Sequence, residues 1–306
     1  FLYVLNSKYS WFFGIVAVVV SQILILQFWK DAKFGTLPNI LILLVSLVSY
    51  GHFNFQNLVQ QETKHLLSQN KLVESKIMNE NNISHLPEPV KNWLRACGAV
   101  GNPNTIIGKV KQEAEMKMKP EQEDWMKANA IQYTTIDTPA FIWTVDVEMN
   151  SVINFRGRDK FENGKGAMLI KMNSLVNVVN EQGEKLDEGT LQRYLGEMVW
   201  FPSLALSPFI SWEQINDNTA KATMTYKGTS GSGIFYFNAI DEVSKFSALR
   251  YKGNEDGAKR REWTMNIKDY KTFEGIKVPS KMTSTWKLDE GDWTWLKLEV
   301  TDIKYN

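Results

Sequence analysis

Twenty-one consecutive residues, Tyr9 to Trp29, carry no formal charge. A helix needs about 20 apolar residues to cross the hydrocarbon of a bilayer. Val18, Val19 and Val20 leave this stretch no polar face for water. Trp11 and Trp29 stand at its ends, where amphipathic rings favour the headgroup zone. A second apolar segment runs from Phe34 to Phe55, centred on Ile40 to Val48, and no formal charge falls between Lys33 and Glu62. The first 55 residues therefore predict two transmembrane helices, about 9–29 and 34–55, which tie the rest of the chain to a lipid bilayer. A signal peptide has one short apolar region and a cleavage site, not two segments in tandem. Phe1-Leu2-Tyr3-Val4-Leu5 reads as the end of a further span upstream. The loop lysines Lys30 and Lys33, set against Lys8 and Lys64, place that loop in the cytoplasm and the large C-terminal part outside.

Residues 56–85 read as a helical or loosely ordered stalk. Residues 86–306 form the main domain, long enough for one sizeable core. Pro87-Glu88-Pro89 opens a short helix with Val90, Trp93, Leu94 and Cys97 on one face, and Gly98 stops it. Beyond Asn104 the period changes to two. Ile106, Val110, Ala114, Met116 and Met118 alternate with charged residues; Phe141, Trp143, Val145, Val147 and Met149, then Ala220 to Tyr226, then Trp263, Met265 and Ile267 alternate with mostly polar ones. Such runs are strands of an antiparallel sheet with one dry face. Asn163-Gly164, Glu181-Gln182-Gly183, Glu274-Gly275 and Glu290-Gly291 are the turn signals between them. About ten strands match the template. One helix interrupts, Thr190 to Trp200, with Leu191, Tyr194, Leu195 and Met198 on one face and Arg193, Glu197 and Trp200 on another. Pro202 ends it. The expected fold is a mainly antiparallel β meander curled into a half-barrel around one inserted helix. A flat two-layer sheet is the competing picture.

Composition removes several kinds of chemistry. The histidines are His52, His65 and His85, and none follows Leu86. Cys97 is the single cysteine, on the apolar face of its helix. The β-rich part therefore has no Ser-His-Asp or Cys-His arrangement and no Cys/His zinc site of its own, and no cofactor is implied. Residues 34–306 hold 32 Lys and Arg against 33 Asp and Glu, a balance that argues against nucleic acid as a partner. Gly228 to Gly233 lacks the Lys-Ser/Thr of a phosphate loop and precedes strand residues, so it reads as a hairpin.

The segments Leu86-Pro87-Glu88-Pro89-Val90 with Trp93-Leu94-Arg95, Gly157-Arg158-Asp159-Lys160-Phe161 with Gly164, Gly166 and Met168, Arg193-Tyr194-Leu195-Gly196-Glu197 with Trp200-Phe201-Pro202, and Arg250-Tyr251 together resemble an uncharacterised bacterial domain family of unknown function. Its members often lie behind several membrane spans. The resemblance runs from about Leu86 to the end and implies the cytoplasmic (inner) membrane of a bacterium, but no activity. The meander with its central helix also looks like the half-barrel of lipoprotein carriers, a likeness of architecture alone.

Aromatic residues are the positive signal. Nine of eleven tryptophans lie at or after Trp93. Trp143, Tyr226, Trp263 and Met265 alternate inward, and aromatic and Met side chains on a concave sheet make an adaptable apolar surface. Arg158, Asp159, Arg193, Glu197 and Arg250 are the charged residues to watch, with Trp200 beside them. Arg193 and Glu197 stand one helical turn apart and can pair. Three functions remain open: a binding module for a lipid-like ligand, with an arginine meeting an anionic headgroup; a carboxylate-based hydrolase of envelope glycans using Asp159 and Glu197; and a protein-interaction module without a small ligand. The topology is testable directly. Protease added to spheroplasts is expected to degrade the C-terminal domain, whereas protection until lysis would invert the assignment.

Overall fold

The computed structural model describes residues 9–70, 76–150 and 152–306. Phe1 to Leu5, Lys8 and residues 71–75 of the expected stalk lie outside the described residues.

Helix α1 (Ser10–Gln27) turns through the short α2 (Trp29–Ala32) and a 3-10 turn, Lys33–Gly35, into α3 (Thr36–Ser68), so that α1 and α3 form a helical hairpin. Asn39 Nδ2 donates to Gln22 Oε1 at 3.0 Å, and Gln22 Nε2 donates to Thr36 Oγ1 at 3.2 Å. These polar contacts lie between the helices, while Val19, Leu24, Leu41 and Leu44 point outward and exposed. Apolar residues outside and polar residues between is the arrangement that suits helices in lipid. Both helices are candidate membrane spans by length and composition.

The second helix does not stop at Phe55. It continues as one rod to Ser68, because Val59, Glu62 and Leu66 keep a single face at helical spacing. That face lies on the outside of the β domain. Leu66 packs on Ala140 and Ile142. Glu62 pairs with Arg158 at 3.0 Å and with Lys160 at 3.1 Å. The Thr138 amide donates to Asn70 Oδ1. Residues 56–68 thus take the helical of the two expected forms and dock on the β domain.

Two short helices follow, α4 (Glu80–Ile83) and α5 (Glu88–Ala96). Val90, Trp93, Leu94 and Cys97 of α5 are buried in the main core, and Gly98 adopts φ 77° at its end. Burial pushes the Cys97 thiol up to about 12, which leaves it an inert core residue.

The sheet has thirteen antiparallel strands: β1 (Ile107–Met116), β2 (Met126–Thr135), β3 (Ala140–Glu148), β4 (Asn154–Glu162), β5 (Lys165–Met172), β6 (Val176–Gln182), β7 (Ile210–Asn216), β8 (Thr219–Tyr226), β9 (Thr229–Phe237), β10 (Val243–Tyr251), β11 (Arg260–Phe273), β12 (Ile276–Leu288) and β13 (Gly291–Tyr305). Their spatial order is β6-β5-β4-β3-β2-β1-β13-β12-β11-β10-β9-β8-β7. Two meanders therefore meet where β1 pairs with β13. The chain crosses from one free edge to the other through α6 (Glu184–Gly196) and the 3-10 turns Glu197–Trp200 and Pro202–Leu206.

The count exceeds the expected ten because some strands hide their period. Every residue of β6 is exposed or half-buried, and β9 begins Thr-Ser-Gly-Ser-Gly. The inserted helix also starts six residues before Thr190, and its last turn, up to Trp200, is 3-10. Glu181-Gln182-Gly183 is not a hairpin turn but the entry to α6. Asn163-Gly164, Lys227-Gly228 and Glu274-Gly275 all have positive φ at both residues, the geometry of tight hairpins. Met118 and Met149, expected on the inner face, lie past their strand ends and are exposed.

The sheet curls until its two wings touch at one point. Thr229 Oγ1, in the β8–β9 hairpin, donates to Gly164 O, in the β4–β5 hairpin, at 2.6 Å. Phe161 sits beneath that contact, within 6.4 Å of the Phe141, Tyr194 and Tyr226 rings. Gly166 and Gly231 let α6 approach both wings. A Cβ at Gly166 would stand 2.8 Å from Leu186 O, and one at Gly231 2.8 Å from Gln192 Cγ. The fold is a half-barrel wrapped on one helix. Truncating the fully buried Phe161 to Ala is expected to cost about 3–5 kcal/mol. Denaturant unfolding measures this, and a loss below about 1 kcal/mol would show that the closure does not depend on this ring.

Candidate functional site

Strand parity puts Trp143 and Val145 of β3, Asp159 of β4, Met168 of β5, Trp263 and Met265 of β11, and Leu296 and Leu298 of β13 on the concave face. Helix α6 crosses that face without filling it. Above the helix remains a cavity of about 500 Å³. Its lining is largely apolar, and its rim comprises Lys117 to Pro120, Tyr251 to Asn254, Trp293 and Trp295.

Arg193 forms part of its floor. Its Nε donates to Glu197 Oε1 at 2.7 Å, its Nη1 to Asp159 Oδ2 at 2.8 Å and its Nη2 to Gln132 Oε1 at 3.1 Å. Glu197 Oε2 accepts from Gln132 Nε2 at 2.7 Å. The guanidinium also stacks over Phe141 and Trp143, 4.9 and 4.7 Å from the ring centroids. Burial disfavours the Arg193 charge, yet the two carboxylates outweigh it and raise its pKa. Burial pushes Asp159 upward, with Arg193 opposing. This closed network joins α6 to β2 and β4.

Arg250 is different. It lies over Trp263 at 4.3 Å and near Trp286 at 5.7 Å, and among the described residues no carboxylate stands in ion-pair contact with it. Its Nε is buried without an acceptor. Burial pulls its pKa down to about 10, with Arg193 adding to the effect, so it remains a cation at neutral pH.

Eight of the ten residues expected from sequence line this cavity: Trp143, Asp159, Arg193, Glu197, Trp200, Arg250, Trp263 and Met265. Arg158 and Tyr226 do not. Arg158 alternates to the convex face, where it pairs with Glu62, and Tyr226 packs against Phe161 and Phe209 beneath the wing contact. Sequence reasoning passed over Gln112 and Gln132. Both hold inward positions on strands whose inner residues are otherwise small or apolar, a polar break that could have marked them. Trp143 Nε1 donates to Gln112 Oε1 at 2.8 Å.

A pattern links the lining. Among the described residues, the buried side-chain atoms without a partner include Gln112 Nε2, Arg250 Nε, Trp263 Nε1, Trp293 Nε1 and Trp295 Nε1. All five belong to residues lining this cavity, and all five are N–H donors. No residue of the lining contributes an unpartnered acceptor to that set. Among the described residues no cluster of His, Cys, Asp and Glu is arranged to hold a metal ion.

A family model described as "Family of unknown function (DUF6544)" matches residues 76–298. Among curated proteins none matches. A LolA superfamily protein from Nitrosomonas europaea aligns over 71% of this chain and 93% of its own, with 10% identity and a TM-score of 0.40. A β-barrel-like protein of domain of unknown function DUF1849 from Brucella abortus aligns over 66% and 99%, with 10% identity and a TM-score of 0.24.

The two arginines should respond differently to substitution. Glu197→Gln turns one acceptor oxygen into a donor facing Arg193 or Gln132 and is expected to cost on the order of 3 kcal/mol. Arg250→Met removes a charge that has no carboxylate partner and should leave stability within about 1 kcal/mol, because an apolar side chain keeps the contact with Trp263 and needs no desolvation there. Thermal melts of both variants check the contrast. Equal losses would mean that Arg250 is also structural.

Proposed function

This chain belongs to the DUF6544 family, and we propose that it is a membrane-anchored binding module whose half-barrel takes an amphipathic, lipid-like ligand. The observation that carries this reading is the set of unpartnered N–H donors around an apolar cavity. An apolar wall favours an acyl or polycyclic body. Buried donors without acceptors cost free energy until an acceptor reaches them. A carboxylate, phosphate or ester group supplies acceptors, and Arg250 supplies a cation with no competing ion pair. The headgroup would lie against Arg250 and the tryptophan N–H groups, and the tail against Val145, Met168, Met265 and Leu298. The β domain begins near residue 86, after the docked end of α3, and the lysines of the α1–α3 loop favour an extracytoplasmic setting on the bacterial inner membrane.

The hydrolase reading has less support. Asp159 and Glu197 both hold Arg193, and Glu197 uses its second oxygen on Gln132. Glu197 cannot accept a proton without breaking that network, and Asp159 is held to the Arg193 cation through Oδ2, so the two do not form a free acid and base pair. An interaction module without a small ligand would leave the cavity unexplained.

Lipid extraction and native mass spectrometry of the purified full chain are expected to show a retained acyl lipid. A fluorescent fatty acid should bind, and Arg250→Met should weaken it about tenfold or more, the loss of one charge-assisted hydrogen bond. A clean unliganded mass with no probe binding would end the carrier reading and put the interaction module ahead.

A further inference from the structure

In an antiparallel meander every second connection emerges at the same sheet edge. The β1–β2, β3–β4, β5–β6, β8–β9, β10–β11 and β12–β13 connections therefore emerge on one side; the curl carries β8–β9 across to the β4–β5 hairpin, and the other five form the edge to which the cavity rim (Lys117 to Pro120, Tyr251 to Asn254) belongs. Helix α3 fixes where that edge lies relative to the apolar spans. Asn70, at the end of α3, meets Thr138 in the β2–β3 turn, at the opposite edge. Glu62 meets Arg158 and Lys160 midway. Gly51 lies so close to Ser174, in the β5–β6 turn, that a Cβ there would stand 2.6 Å from its carbonyl oxygen. Between Gly51 and Asn70 the helix rises about 28 Å, and residues 36–50, the apolar part, continue past the rim edge.

The loop tips at this corner are apolar and uncovered. Val152 of the β3–β4 loop is 74% exposed, and Val176 and Val178 beside the β5–β6 turn are 54% and 50% exposed. Met149 and Leu175 lie exposed next to them. Exposed apolar residues scattered singly need no explanation, but a group on adjacent loops marks a contact surface. The partner is set by continuity, since the same corner touches the helix whose next turns are the expected span. The loops farther along the edge are charged, with Glu121, Glu123, Asp124, Glu290 and Asp292 beyond the rim and Lys117, Lys119 and Lys252 on it. A bilayer surface does not take up the carboxylates, which stay in water, whereas the rim lysines suit its anionic headgroups.

We infer that the half-barrel sits tilted on the bilayer, with the β3–β4 and β5–β6 tips inserted beside α3, so that the cavity mouth faces the lipid surface. This rests on the membrane-anchored reading above. It deepens that reading: the ligand would pass between bilayer and cavity along this corner without crossing water, and its source would be the bilayer itself.

Full-chain variants carrying one environment-sensitive label each, at Val152→Cys, Val176→Cys, Glu290→Cys or Asp137→Cys, can be placed in vesicles containing a headgroup-level spin-labelled lipid. The buried Cys97 stays unlabelled in the folded chain. Labels at 152 and 176 are expected to be quenched at least threefold more than those at 290 and 137. Retention of the chain on vesicles through an alkaline wash separates the two claims. If the chain washes off, the membrane reading fails and this inference with it. If it stays and residues 152 and 176 are quenched no more than residue 137, the orientation alone is wrong. Quenching at 290 equal to that at 152 would replace the tilted seat with a flat one and overturn the inference in that form.

Discussion

Arg193 is the contact on which the rest of the domain depends. A helix laid in a curled sheet can slide or rotate if only apolar side chains hold it. Arg193 removes that freedom, because its planar fork meets Asp159, Glu197 and Gln132 in three fixed directions at once. One of those partners is on the helix side and two are on the wall. Desolvating the charge is expensive, and two carboxylates with a shared glutamine offset it. The cluster also explains why a helix of thirteen residues suffices as the centre of a thirteen-stranded sheet. It is bound to β2 and β4 by ion pair and hydrogen bond and to both wings by close glycine contacts.

Such a fixed position leaves space. The helix approaches the wings at Gly166 and Gly231 and touches Met265 through Gly196, but it stands off the middle strands, where Met282, Leu296 and Leu298 line the cavity. Large aromatic side chains would normally repack to fill a gap, since interiors are close-packed. Here Trp143 is tied to Gln112, and Trp200 to Pro279 O, so the walls cannot simply collapse. The polar groups are sorted as well. Around Arg193 donors and acceptors balance, whereas around Arg250 and the rim tryptophans donors are in surplus. The balanced region does structural work, and the unbalanced one favours a guest with oxygen acceptors.

Helix α3 couples the cavity to its surroundings. Its apolar half and its docked half are one continuous rod, so the domain is seated directly on the helix that carries the apolar run. Glu62 and the residues around it set the domain's orientation relative to the helical hairpin. Arg158 belongs to this function. It is a wall residue by sequence position and a helix-docking residue by side-chain direction.

The sequence by itself determined the local features, because they are periodic. Period two along β1, β3 and β8 located strands and their dry faces, helical spacing located α5 and the core of α6, and unbroken apolar runs located α1 and α3. Eight of the ten residues proposed for the site line the cavity, since strand parity alone sends Trp143, Asp159, Trp263 and Met265 to one face. Parity could also have excluded Arg158, which is next to Asp159 and must face away from it. Only the tertiary structure decided that α3 continues past Phe55 and docks, because the ion pairs that hold it join residues about a hundred positions apart. It decided likewise that β6 is a strand and that β9 begins at Thr229 within the expected hairpin, since their neighbours supply the hydrogen bonds that their own composition does not announce. And it separated the two arginines. Arg193 and Arg250 look alike in sequence, but one meets two carboxylates across the fold and the other meets none, and that difference is made by which strands the curl brings together.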